Sequence, residues 1–224
     1  DIENARRLNG SDWVRQYRES GAALFDSLEF PTHREEAWRS TDIRPILDTP
    51  FRSIVGEPAG NVSAAEIAHA ITVDGAPTAV FVDGLFNGTL SNLGALPRGV
   101  IVMSLSEAIG KSPGDMEQYL VEQVTNAFGA LNAAFLQDGA YVEVAPNTIV
   151  ETPIQLVFAS SAAGVVASHP RNVVLVGASS ELTLVETYVG LNDSTAYLTN
   201  AVSEIALAPN AGLTRHKVVQ EGAK

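Results

Sequence analysis

Apolar residues follow three different rhythms along this chain. Behind Ser11, a candidate N-cap, Trp13, Tyr17, Leu24 and Leu28 recur at helical spacing and predict an amphipathic helix. Pro31 closes that segment. Thr32-His33-Arg34-Glu35 then has the Thr-x-x-Glu form of a capping box, which predicts a short second helix carrying a buried Trp38. Ser63-Ala64-Ala65-Glu66 repeats the form ahead of Ile67, Ala70 and Ile71. The rhythm next becomes that of strands: residues 79–82 and 85–86 flank Asp83-Gly84, a strong hairpin signal, and residues 100–103 make a further short strand. From 113 to 137 the helical period returns, through Tyr119, Leu120, Val124, Phe128, Leu131 and Phe135.

After Asp138-Gly139 the helical period stops. Short apolar strands pair off around Ala145-Pro146-Asn147, Gly177-Ala178-Ser179-Ser180 and Ala208-Pro209-Asn210-Ala211-Gly212. The turn centres near 146, 178 and 209 recur with a spacing of about 31 residues, a solenoid period. One such unit cannot bury its apolar face alone, so stacked coils of a β-helix are expected, with a β-sandwich as the alternative. The chain reaches Lys224 without a cap-like segment, so the solenoid is expected to be truncated there, leaving an edge around residues 214–219 able to recruit another strand.

Composition narrows the function classes. The 224 residues carry 14 Lys+Arg against 26 Asp+Glu, a net charge of −12, which leaves no electrostatic footprint for nucleic acid or anionic lipid. Eight of the basic residues, all arginine, fall within residues 1–52, while residues 53–170 hold only Arg98 and Lys111. The absence of cysteine excludes disulfides, thiolate metal sites and a cysteine nucleophile within these residues. No apolar run approaches the roughly 20 residues that span a bilayer, and Asp1-Ile2-Glu3-Asn4 does not resemble a signal peptide. A soluble protein of cytoplasmic type is expected.

The candidate motifs are weak. Gly110-Lys111-Ser112 ends like a phosphate loop but has Leu105 where the first glycine is required, so a helix C-terminus is expected. His33, His69, His169 and His216 show no paired ligand spacing, and His216 reads as an exposed strand residue. Glu143, Glu151, Glu181, Glu186 and Glu204 come singly along the strands, which points to a solvated outer face. No catalytic, cofactor-binding or metal-binding residue is assigned.

Longer stretches carry a resemblance. The segment Phe30-Pro31-Thr32-His33-Arg34-Glu35-Glu36-Ala37-Trp38-Arg39-Ser40-Thr41-Asp42-Ile43, the hairpin Phe81-Val82-Asp83-Gly84-Leu85-Phe86, residues 172–190 and residues 197–204 resemble, in that order, the SufB/SufD family, and the first two favour its SufD branch. The resemblance implies an α+β N-terminal region, residues 1–137, followed by the first coils of an all-β right-handed parallel β-helix core, residues 138–224. It also implies a non-enzymatic scaffold or accessory subunit of the SUF iron–sulfur cluster assembly complex. Such a subunit pairs with SufB, or with itself, through the β-helix and with the ATPase SufC through a C-terminal region, in the cytoplasm or a plastid stroma. The cluster forms at a site beyond Lys224, so no cofactor is expected in this segment. Thr32, Glu35 and Trp38 are read as structural. A β-helix carbohydrate-active enzyme and a structural β-solenoid are the competing functions.

Overall fold

The computed structural model describes residues 2–6, 8–94, 96–120, 126–161, 163–192 and 195–222. Seven α-helices are described: α1 (Ile2–Ala5), α2 (Asp12–Ser27), α3 (Arg44–Leu47), α4 (Ala64–Ile67), α5 (Leu105–Lys111), α6 (Pro113–Tyr119) and α7 (Ala127–Ala134). The strands are β1 (Arg52–Ser53), β2 (Thr78–Val82), β3 (Leu85–Phe86), β4 (Val100–Ser104), β5 (Ala140–Val144), β6 (Ile154–Ser160), β7 (Val166–Ser168), β8 (Arg171–Val176), β9 (Glu181–Gly190), β10 (Tyr197–Thr199), β11 (Val202–Leu207) and β12 (Gly212–Gln220).

They form three sheets, ordered β1-β7-β10, β11-β8-β5-β4 and β12-β9-β6-β2-β3. From β5 onward the chain visits the sheets in a fixed order, and each strand pairs parallel with its equivalent one circuit later. Tyr141 faces Val173, Ile154 faces Leu184, Val166 faces Tyr197, Arg171 faces Val202 and Glu181 faces Gly212, so that all three sheets share an offset of about 31 residues. The turns obey the same step. Asn147, Ser179 and Asn210 all adopt left-handed φ of 56° to 60°, and the Asn147 and Ser179 amides donate to Ala178 O and Pro209 O at 2.8 and 3.1 Å. The expected turn stack is present.

The chain is therefore α/β with mixed sheets: the described strands beyond 138 pair parallel with one another, as expected, but N-terminal strands join the same sheets. The β4–β5 and β2–β3 pairs are antiparallel, and β1, β2 and β4 all join sheets built from residues beyond 138. Asp83 and Gly84, with φ of 50° and 86°, make the tight turn of the expected hairpin, in which Phe81 faces Phe86.

The main core lies between the two larger sheets and includes Phe81, Val142, Leu156, Phe158, Val174, Val176 and Leu184. Strand alternation turns the intervening residues outward, where helices cover them. Ile67 and Ala70 pack on Val80, Val82, Val157 and Val189, and Leu105, Met116 and Leu120 pack on Tyr141 and Val173. The capping box at Ser63 forms with both halves and starts α4. Helix α2 crosses α7 closely enough that a Cβ on Gly21 would meet Ala134 N at 2.6 Å. Buried Arg18 ties α2 down by donating to Leu136 O, Leu8 O and Asn9 O at 2.6, 3.0 and 3.0 Å.

Two local expectations need correction. The Thr32 box is only half made: the Thr32 amide donates to Glu35 Oε1 at 2.9 Å, but Thr32 Oγ1 accepts from the Arg34 amide. A single 3₁₀ turn, Glu36–Trp38, results, and Trp38 is half-buried instead of buried. The helical stretch expected over 113–137 comprises α6 and α7, while Val124 lies outside the described residues.

Backbone geometry predicts two substitutions of opposite sign. Gly139 has φ of 153°, and a Cβ there would lie 1.9 Å from Arg171 O, so Gly139→Ala is expected to destabilise by more than about 2 kcal/mol. Ser179→Gly relieves a left-handed serine and is expected to stabilise by about 0.5 to 1 kcal/mol. Urea midpoints with unchanged m-values check both; equal midpoints would remove the turn stack as a source of strain.

Candidate functional site

Alternation along β9 sends Leu182, Leu184, Glu186 and Tyr188 toward the interior. The first two join the apolar core; Glu186 brings a fully buried carboxylate into it. It is paired. From the next circuit, Arg215 of β12 donates Nε to Glu186 Oε1 at 2.7 Å and Nη2 to Oε2 at 2.8 Å, and the Tyr188 hydroxyl donates to Oε2 at 3.2 Å. Arg215 Nη2 also reaches Ser203 Oγ at 3.2 Å, and Ser203 Oγ lies 3.3 Å from Asn172 Nδ2. Asn172 Oδ1 in turn accepts the Ala140 amide at 2.9 Å. A polar layer thus crosses the interior between the two large sheets.

A cavity of about 400 Å³ adjoins this layer, lined among others by Tyr188, Lys217, Glu221, Asn200, Trp38 and Phe128. The Lys217 ammonium sits 4.4 Å from the centre of the Tyr188 ring, a cation–π contact. Burial is the main cause raising the Glu221 and Tyr188 pKa values, and the Glu186 carboxylate adds to the shift on Tyr188. The bond to Glu186 raises that of Arg215.

A second polar group joins the helices to the strands. Arg171, 1% exposed, donates to Asn132 Oδ1 at 3.1 Å and to Glu204 Oε1 at 2.5 Å, with its guanidinium over the Tyr17 ring. Asn132 Nδ2 donates to Pro170 O and Asn200 O at 3.0 and 2.8 Å. Asn200 Nδ2 bonds Phe128 O at 2.8 Å and lies 3.2 Å from Nδ1 of buried His169, whose Nε2 is 3.2 Å from Ser53 Oγ. Because Nδ1 accepts the Asn200 N–H, the ring proton is assigned to Nε2, which donates to Ser53. The imidazole therefore has no lone pair aimed at that hydroxyl, and the Ser53–His169–Asn200 chain is not a nucleophile with its base. Burial holds the His169 pKa at about 3.

These residues correct the outer-face reading of the strand carboxylates. Glu151 and Glu181 are exposed and Glu143 is half-buried under the Tyr141 hydroxyl, but Glu186 is internal and Glu204 is held by Arg171. Glu186 lies inside and Glu204 on the helix-covered face of its sheet, each paired with an arginine, so the two do not form the facing carboxylate pair of a glycosidase. Lys111 closes α5 and pairs with Glu107 at 2.7 Å, as the C-terminus of a helix. His33, His69 and His216 are exposed, and no three His, Asp or Glu side chains among the described residues converge as metal ligands. No described helix is long and apolar enough to cross a membrane.

Two measurements probe this chemistry. Arg215→Ala strands a carboxylate with no exposure and is expected to cost about 3 to 5 kcal/mol, whereas Glu186→Gln leaves a guanidinium that water reaches and should cost less. Equal denaturation midpoints for the two variants would place the pair outside the core. For His169 the folded pKa is depressed below 6.5, so as pH falls through 6.5 toward 3 the unfolded chain takes up a proton that the folded one refuses. Stability is lost in that window by up to about 1.4 kcal/mol per pH unit. Between pH 6.5 and 5 the parent should lose about 2 kcal/mol more than His169→Gln; parallel pH profiles would mean that His169 titrates normally.

Comparison with known proteins gives the family. The family described as the SufBD protein N-terminal region matches residues 3–156. The iron-sulfur cluster assembly SufBD family protein slr0076 of Synechocystis sp. is 28% identical over 207 residues, covering 88% of this chain and 45% of that protein. Protein ABCI7, chloroplastic, of Arabidopsis thaliana is 26% identical over 219 residues, 93% of this chain and 44% of that protein. The iron-sulfur cluster assembly SufBD family protein ABCI9 of the same plant is 24% identical, with 89% and 47% covered. The chain spans about half the length of the curated relatives it matches. With the family match running over more than half of its residues, and through both the hairpin and the first parallel strands, the chain belongs to the SufBD family.

Proposed function

We propose that this chain is part of a SufD-type, non-catalytic scaffold or accessory subunit of the SUF system, acting in iron–sulfur cluster assembly in a cytoplasm or plastid stroma. Membership of the SufBD family carries this reading, and the names of two relatives, which state iron-sulfur cluster assembly, support it. The offset shared by all three sheets supports reading β5 to β12 as coils of a parallel β-helix. In this reading the cluster is cargo, formed on the assembled complex at a site outside these residues.

One surface suits the addition of further strands. Ile205 and Leu207 of β11 stand in register with Val174 and Val176, which are fully or almost fully buried, yet are 40% and 50% exposed themselves; Val219, opposite buried Tyr188, is 57% exposed. Apolar positions that point inward in one circuit and lie open in the next make a face suited to further strands, from this subunit or its partner. Contact with SufC is assigned to a region other than these residues.

Co-purification of the full-length protein with SufB and SufC from its own organism tests the assignment. A stable complex that supports cluster transfer to an apo-ferredoxin is expected. A full-length protein that binds neither subunit, or that releases sugar from polysaccharides, would overturn it.

A further inference from the structure

Residues 31–50, between α2 and β1, form a strap that closes on itself. Its backbone bonds are internal: the amides of Glu35, Trp38, Thr41, Leu47 and Asp48 donate to Thr32, Glu35, Trp38, Ile43 and Arg44 at 2.8 to 3.1 Å. Its ion pairs are internal too, Arg39–Glu36 at 3.6 Å and Arg44–Asp42 at 2.6 Å. Among the described residues, the first backbone bond onward to the body is from the Arg52 amide to Val165 O at 3.0 Å.

Side chains alone hold the strap down. Trp38 stacks on Phe128 of α7 with ring centres 5.5 Å apart and planes 24° apart, and Ile43 is buried beside it. Beneath the strap the packing is open: cavities of about 400 and 260 Å³ are both bounded by Ile46 from the strap and by Phe128 and Leu198 from the body. A segment with no ladder to its surroundings and open clefts along its contact with the body has the features of a unit that opens below the free energy of global unfolding. Pro31 and Pro50 bound the segment, fixing φ and lacking an N–H at each end.

We propose that residues 31–50 are a hinged cover, which swings away from the body as one unit with the Trp38–Phe128 stack as its latch and opens the apolar trough of Phe128, Leu131, Phe135 and Leu198. The half-made capping box fits this role, because the strap keeps its own turns whether or not it is seated.

Hydrogen exchange followed by mass spectrometry on the whole chain tests the proposal. In the parent, amides of residues 35–48 are expected to exchange at least about tenfold faster than those of β2, β6 and β9. Trp38→Ala should speed exchange of the strap by about two- to tenfold, the range expected for losing one aromatic pair, and leave β2, β6 and β9 unchanged. Trp38→Phe should restore the parent rate. Phe128→Ala, which also removes the edge contact with Phe30 at 5.2 Å, should speed the strap at least as much as Trp38→Ala, and adding Trp38→Ala to it should go no further. Strap and sheet accelerating by the same factor in Trp38→Ala would show that the strap opens only with global unfolding, and an unchanged strap would show that the stack is not the latch; either result overturns the proposal.

Discussion

The constant length of the circuit governs this molecule, because in a parallel pair it fixes which side chain lies against which. Adjacent strands stand close to about 4.8 Å apart, so each inward position repeats as a column from one circuit to the next. Phe158 and Tyr188 form such a column, with ring centres 4.9 Å apart, and Phe81 extends it by another 4.9 Å from a strand that comes earlier in the chain. The left-handed residues Asn147, Ser179 and Asn210 form a second column at the corners. Helices then have only to cover what the columns leave outside.

Against this background the Glu186–Arg215 pair has a specifying role more than a stabilising one. A buried ion pair contributes little net stability compared with well-packed apolar residues. Yet a slip of β12 by one residue would turn Arg215 outward and leave Glu186 alone in the core, so the pair penalises the wrong register in a region where Val218 and Val219 alone would not distinguish the two faces. Arg171 acts similarly between layers, since Asn132, Glu204 and the Tyr17 ring meet it from a helix, a strand and another helix.

Features set by neighbouring residues were legible in the sequence. The Asp83-Gly84 hairpin, the Ser63 capping box and the spacing of the three turns depend on short-range backbone chemistry, and the structure contains all three. The membership of β1, β2 and β4 in the sheets was not, because it rests on pairing across tens of residues that no local period reveals. The Thr32 box failed for a local reason, as its hydroxyl bonds the nearer Arg34 amide. Glu186 was misread because a single carboxylate among apolar neighbours looks solvated when each strand is considered alone. The signal was nevertheless present: Leu182, Leu184, Glu186 and Tyr188, carried forward by the spacing of the turns, fall on Leu213, Arg215, Lys217 and Val219, which sets a cation beside the acid. His169 and Asn200 offered no comparable cue, since their partners come from β1 and α7.

The antecedent strand of the aromatic column has a consequence for the order of assembly. Ile154 meets Leu184 a single circuit later, but the stretch of chain from Thr78 to its partner Gln155 is more than twice as long. The additional loop-closure entropy is small, about 0.8 kcal/mol for that ratio of lengths, so the native state hardly registers the difference. The route to it does, because contacts distant in sequence form late and slow the search. Neighbouring circuits can zip together while β2 is still free, and the first of them then offers the exposed edge of β6 and the face of Phe158 as a template. Docking of the hairpin is therefore expected to follow the pairing of circuits that come after it in the chain.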